Sequence, residues 1–120
     1  MLKREYRLKK KYQFNYVYRV GKSAHGKFLV VVYSPSKNKN VRIGISVSKK
    51  VGNAVQRNRA RRILREAISQ FLENLNPNFN IIIVGKQSIL DQKSDSVTAD
   101  LQSVLERTDL LLWKSFSFFW

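Results

Sequence analysis

Arg57, Asn58, Arg59, Arg61, Arg62 and Arg65 fall within nine residues of one another, and Lys49 and Lys50 precede them in the same stretch. A guanidinium group is a flat fork of donors whose shape matches two oxygens of a phosphate. Asn58 adds an amide that both donates and accepts. In a helix left free in water this crowding is unfavourable. Arg57 with Arg61, and Arg61 with Arg65, are like charges at i,i+4, each pair costing roughly a few tenths of a kcal/mol. The dense, arginine-biased run therefore reads as a surface for nucleic-acid phosphates rather than a merely solvated basic face. Hydrolysis by the protein itself is a poor fit. Metal-assisted phosphodiester cleavage needs clustered carboxylates, whereas Glu5, Glu66, Glu73, Asp91, Asp95, Asp100, Glu106 and Asp109 are dispersed. The single histidine, His25, has no acid or second histidine nearby in sequence and reads as incidental.

The elements that must position these groups are legible on either side of them. Val41, Ile43, Ile45 and Val47 alternate as a half-buried strand does, which predicts a strand over 41–47. Gly52 allows a tight turn and Asn53 is a good N-cap, so a helix is predicted over 54–75. On that helix Ala60, Ile63, Leu64, Ala67, Ile68, Phe71 and Leu75 share one arc, and Asn58, Arg61, Arg62 and Arg65 share another. One side is built for a core, the other for anions.

Charge is distributed as unevenly as this helix suggests. Residues 1–65 carry nineteen Lys/Arg against one acid, a net +18, while residues 66–120 are net −3. No Asp or Glu occurs between Tyr6 and Arg65. That asymmetry predicts a strong positive field over one region of a single 120-residue domain. An anionic membrane is a weaker partner, because the apolar side of the helix is better used against a sheet. DNA is weaker too, since no helix-turn-helix spacing precedes the arginines. A ribosomal or other structural RNA-binding protein is the strongest alternative on charge and layout. The chain has no cysteine, which excludes disulfides and thiolate chemistry and suits a reducing compartment. The basic start, MLKREYRLKKKYQF, lacks a signal-peptide core, so a cytoplasmic location is expected.

Residues 1–10 read as a basic arm. A first helix is predicted over 11–20, with Tyr12, Phe14, Tyr16 and Tyr18 exceeding what one small core face needs. Aromatics beside Lys10 and Lys11 are also the composition of a single-strand stacking surface. A short strand is predicted at 23–25 and a long one over 28–33. Across the turn-rich loop 34–40, strand 41–47 is expected to pair back antiparallel on the long strand. Asn76-Pro77-Asn78 stops the arginine helix, and Phe79 with Ile81-Ile82-Ile83-Val84 predicts a short strand apolar on both sides. A last helix takes Val97, Leu101, Val104, Leu105, Thr108, Leu111 and Leu112 at helical spacing. The class is α+β, helices on a small mixed sheet.

SVSKKVGNAVQRNRARRILREA resembles the signature of the bacterial ribonuclease P protein subunit, an Arg-Asn-Arg helix led by a Ser-Lys-Lys turn. The likeness spans most of residues 5–112. It implies a two-layer αβββαβα sandwich with a left-handed βαβ crossover, where generic chirality favours the right hand. It further implies a catalytic RNA subunit, one protein per RNA, that removes the 5′ leader of precursor tRNA with Mg²⁺ held mainly by RNA. The protein would supply no catalytic residue and hold no metal. Carried over by position, the RNA subunit would meet Lys49, Lys50, Arg57, Asn58, Arg59, Arg61, Arg62 and Arg65. A leader-binding cleft would hold Lys10, Phe14, Tyr18, Ser46 and a first-strand aromatic. Phe28 is assigned there because strand parity gives it the face of Val32, opposite Tyr33. Relatives end in a polar, lysine-rich tail; here residues 113–120, WKSFSFFW, are aromatic instead.

Overall fold

The structure is a computed structural model and describes residues 7, 8, 10–36 and 41–112. The expected basic arm (residue 7, 8 and 10 apart), the tip of the 34–40 loop and the aromatic tail lie outside these. The elements run α1 (Lys11–Val20), β1 (Lys22–His25), β2 (Leu29–Pro35), β3 (Arg42–Ser46), α2 (Ala54–Ser69), β4 (Phe79–Gly85) and α3 (Ser94–Glu106), the αβββαβα order. Short 3₁₀ turns follow β3, α2 and β4.

The sheet order is β1-β2-β4-β3, which corrects the expected β2–β3 hairpin. β4 lies between them, antiparallel to β2 and parallel to β3. Ile81, Ile82 and Ile83 are each fully buried. A strand apolar on both faces is stable only where both faces are covered, so β4 takes the interior position and displaces β3 to the edge. β3 and β4 are thereby neighbours joined through α2, as a crossover requires.

The sheet is covered on both faces, by different helices. Leu29, Val31, Ile43, Ile81 and Ile83 pack with Ala60, Ile63, Leu64, Ala67 and Ile68 of α2 and with Val97, Leu101, Val104 and Leu105 of α3. On the other face Val32 and Ile82 form a smaller cluster with Leu8 and Val17, and Phe14, Val30 and Val84 pack against it. The expected two layers are therefore α2 and α3 on the sheet, while α1 sits alone across the opposite face.

Two helices end earlier than their apolar spacing suggests. α2 stops at Ser69, and a 3₁₀ turn at Leu72–Asn74 carries Leu75 into the core. α3 stops at Glu106, where the Thr108 hydroxyl donates to Leu105 O (2.8 Å) and accepts the Leu110 N–H (3.2 Å). Leu111 then bridges Leu75 antiparallel. Thr108, Leu110 and Leu111 are buried, but through an extended segment rather than a continued helix.

Asp100 of α3 fastens the turn between β1 and β2. Its two carboxylate oxygens accept the N–H groups of Lys27 and Phe28, each at 2.9 Å. Asp100→Ala leaves both donors unmatched and is expected to cost about 1–3 kcal/mol. Denaturant midpoints of the two proteins check this. A variant as stable as the wild type would mean that the turn holds without the carboxylate.

Candidate nucleic-acid interface

Val51, buried, anchors the 3₁₀ turn Lys49–Val51 and leaves Lys49 and Lys50 exposed. α2 then opens with a capping box. Asn53 Oδ1 accepts the Gln56 N–H and Gln56 Oε1 accepts the Asn53 N–H, both at 2.9 Å. The pair satisfies two donors that a helix start otherwise leaves open. A Cβ at position 52 would collide with the same Gln56 Oε1, so glycine there lets the box close.

With the apolar stripe of α2 turned to the sheet, the basic residues divide by depth. Arg57, Arg61 and Arg65 are half-buried along one edge of the stripe, while Asn58, Arg59 and Arg62 are exposed. Arg61 Nη1 donates to Asn58 Oδ1 at 2.8 Å, which fixes the fork of one arginine before any ligand arrives. Among the described residues the buried Arg57 Nε finds no partner. The edge carrying these three meets α1 at its far end. Arg65 lines a recess of about 130 Å³ with Arg7, Leu8, Phe14, Ile43, Gly44 and Ile45.

Phe14 reaches that recess because Gly44 yields to it. A Cβ at position 44 would stand 2.5 Å from two atoms of the Phe14 ring. Ser46, two residues along β3, is half-buried on the same face. Register places Ser46 beside Val84, Val84 beside Val30 and Val30 beside His25, one row across the face that α1 only partly covers. Tyr18, one turn after Phe14, is 44% exposed. Lys10 is exposed at the start of α1, its N–H donating to Gln13 Oε1 at 3.0 Å. The guanidinium edge thus runs into a recess that holds the Phe14 ring, with Lys10 and Tyr18 exposed one helical turn before and after it.

The ribonuclease P family model matches residues 2–109. The chain is 40% identical over 106 residues to the ribonuclease P protein component of an Exiguobacterium species, covering 88% of this chain and 92% of that one. It is 38% identical over 104 residues to that of Clostridioides difficile, covering 86% and 91%. Its fold is similar to a structure of the Staphylococcus aureus RNase P protein, with a TM-score of 0.80 at 33% identity over 88% of this chain and 97% of that one. The chain belongs to the ribonuclease P protein family.

As such it is a subunit of an RNA-containing endoribonuclease of tRNA processing. Of the positions carried over from the ribonuclease P likeness, those on α2 all lie off its buried stripe, and Lys49 and Lys50 are exposed in the turn before it. Phe14 and Ser46 share the cleft face. Phe28 does not, and this corrects its assignment. Phe28 precedes β2 and sits in the turn that Asp100 holds, where strand parity no longer applies. Its side chain packs on the α2/α3 side of the sheet. Val32 does take the α1 face, and Tyr33 packs edge-on against Phe79 (5.9 Å) on the other. The sequence reading missed Val30 and Val84, which cross-strand register sets side by side on the α1 face, packed against the same small cluster as Phe14. It also placed neither Tyr12 nor Tyr16 in the cleft, although the aromatic excess on the first helix pointed to a stacking surface.

Proposed function

We propose that this chain grips ribonuclease P RNA with the arginines of α2 and the Lys49–Val51 turn, and holds the single-stranded 5′ leader of precursor tRNA between α1 and the sheet. The observation that carries the reading is the shared recess of Arg65, Phe14 and Gly44. A strand leaving a phosphate-binding edge there meets an aromatic face without crossing solvent. Guanidinium groups hold backbone phosphates, and stacking on Phe14 and Tyr18 holds unpaired bases whatever their sequence. Among the described residues no three His, Asp or Glu side chains gather to hold a metal. In this reading the magnesium of the reaction is held by RNA oxygens.

The protein's contribution is then electrostatic: it offsets repulsion between two RNAs and favours the leader-bearing substrate. Adding the protein to the bare catalytic RNA at low magnesium is expected to restore cleavage of precursor tRNA. The reconstituted enzyme is further expected to bind precursor more tightly than mature tRNA. Equal affinity for the two would remove the cleft from this account, and no rescue of cleavage would remove the account altogether.

A further inference from the structure

Neither surface above uses the groove on the other flank of α1. It encloses about 440 Å³ and is lined by Tyr12, Tyr16, Arg19, Arg42 and Asn80, among others. Tyr12 and Tyr16 stand four residues apart, 67% and 48% exposed, on the side of the helix away from Phe14. The core takes Val17 and Phe14 from α1 and has no use for these two rings. The Arg19 guanidinium carbon lies 5.8 Å from the Tyr16 ring centroid. Arg42 and Asn80 are partners in the β3–β4 register, so a cation and an amide stand side by side on the same face. The depression continues past Tyr16 and Asn80 to Pro35 and Ser36. Among the described residues no carboxylate lines either space. Rings for base faces, forks for phosphates and an amide for a base edge are the parts of a single-strand RNA site.

We infer that this second groove seats the upstream part of the leader once it has passed the Phe14 recess, an extension that rests on the leader reading above. Leu8 borders both spaces, so a strand continuing from one to the other passes Leu8. The catalytic RNA is the poorer occupant, because the arginine helix assigned to it packs on the opposite face of the sheet.

The test uses the reconstituted holoenzyme and a series of precursor tRNAs whose leaders grow one nucleotide at a time. Wild-type affinity is expected to rise in two steps, first as the Phe14 recess fills and again as the leader reaches Tyr12 and Tyr16. Tyr12→Ala with Tyr16→Ala should abolish the second step, about a tenfold loss for long leaders. Binding of short-leader and leaderless tRNA should be unchanged. Tyr16→Phe keeps the stacking face and should keep the step. Arg19→Ala should lower the slope of log affinity on log salt by about 0.7, for long leaders only. A thiouridine near the 5′ end of a long leader should photo-crosslink to α1. Wild-type affinity of the double variant for long leaders overturns the inference. So does an equal loss for all substrates, which would assign the groove to the RNA subunit. A wild-type series with no step at all overturns the leader reading and this extension together.

Discussion

Replacing Arg57, Arg61 and Arg65 together by alanine is expected to weaken binding of ribonuclease P RNA by about a hundredfold or more without unfolding the protein. The three side chains form one i,i+4 row, half-buried along the edge of the core stripe. A hydrogen bond to a charged partner contributes on the order of 1.5–3 kcal/mol net. Three such contacts at the lower limit, discounted further for solvent screening, still leave about 3 kcal/mol, or about a hundredfold. Salt dependence gives an independent measure. If about six phosphates are neutralised, log affinity falls on log salt with a slope of roughly −4 to −5, and losing three should about halve it. Stability should move the other way or not at all. Two like-charged i,i+4 pairs disappear, alanine is the better helix former, and the unmatched Arg57 Nε is removed. Unchanged affinity and an unchanged slope in the triple variant would end the assignment of this edge to RNA.

Gly44→Val carries the second large effect, on substrate choice rather than on assembly. Any Cβ at this position stands 2.5 Å from the Phe14 ring, so the ring must leave its place over β3. The ring is half-buried beside the recess, and in swinging aside it gives up packing against the Leu8, Val17, Val32 and Ile82 cluster. Overpacking of this kind costs about 1–3 kcal/mol. The displaced ring no longer offers its face to a base, and the preference for precursor over mature tRNA should fall by about tenfold. Affinity for the RNA subunit should stay within about twofold, since the α2 edge packs through the other core. Adding Phe14→Ala to Gly44→Val should recover stability but not discrimination. If Gly44→Val alone still prefers precursor fully, the position of the Phe14 ring is not what reads the leader.

The sequence was most informative where one element carries its own reason. The bounds of α1 matched those expected, and the start of α2 was legible in Asn53, a cap that acts within its own turn. That α2 keeps its arginines off the core stripe followed from 3.6-residue periodicity, but the division into a half-buried row (Arg57, Arg61, Arg65) and exposed Asn58, Arg59 and Arg62 came only with the structure. Reading failed where position depends on something distant. Helical spacing ran on to Leu75 and Leu112, yet the chain turned earlier at Ser69 and Glu106, since Leu75 and Leu111 are held by each other. Phe28 was misplaced for a similar reason: Asp100, 72 residues away, holds its N–H and fixes the turn it sits in.

By itself the sequence determined the chemistry available: a run of guanidinium groups on one helix and a surplus of aromatics on the first helix. These depend on residue type and short-range spacing. Only the tertiary structure decided which groups meet. The β1-β2-β4-β3 order follows from burying three consecutive isoleucines on both faces, and that order moves β3 to the edge. There Gly44 can receive Phe14 and Arg65 can share the recess. Hydrophobic burial is indifferent to sequence distance, so it joined in space what the chain keeps 51 residues apart.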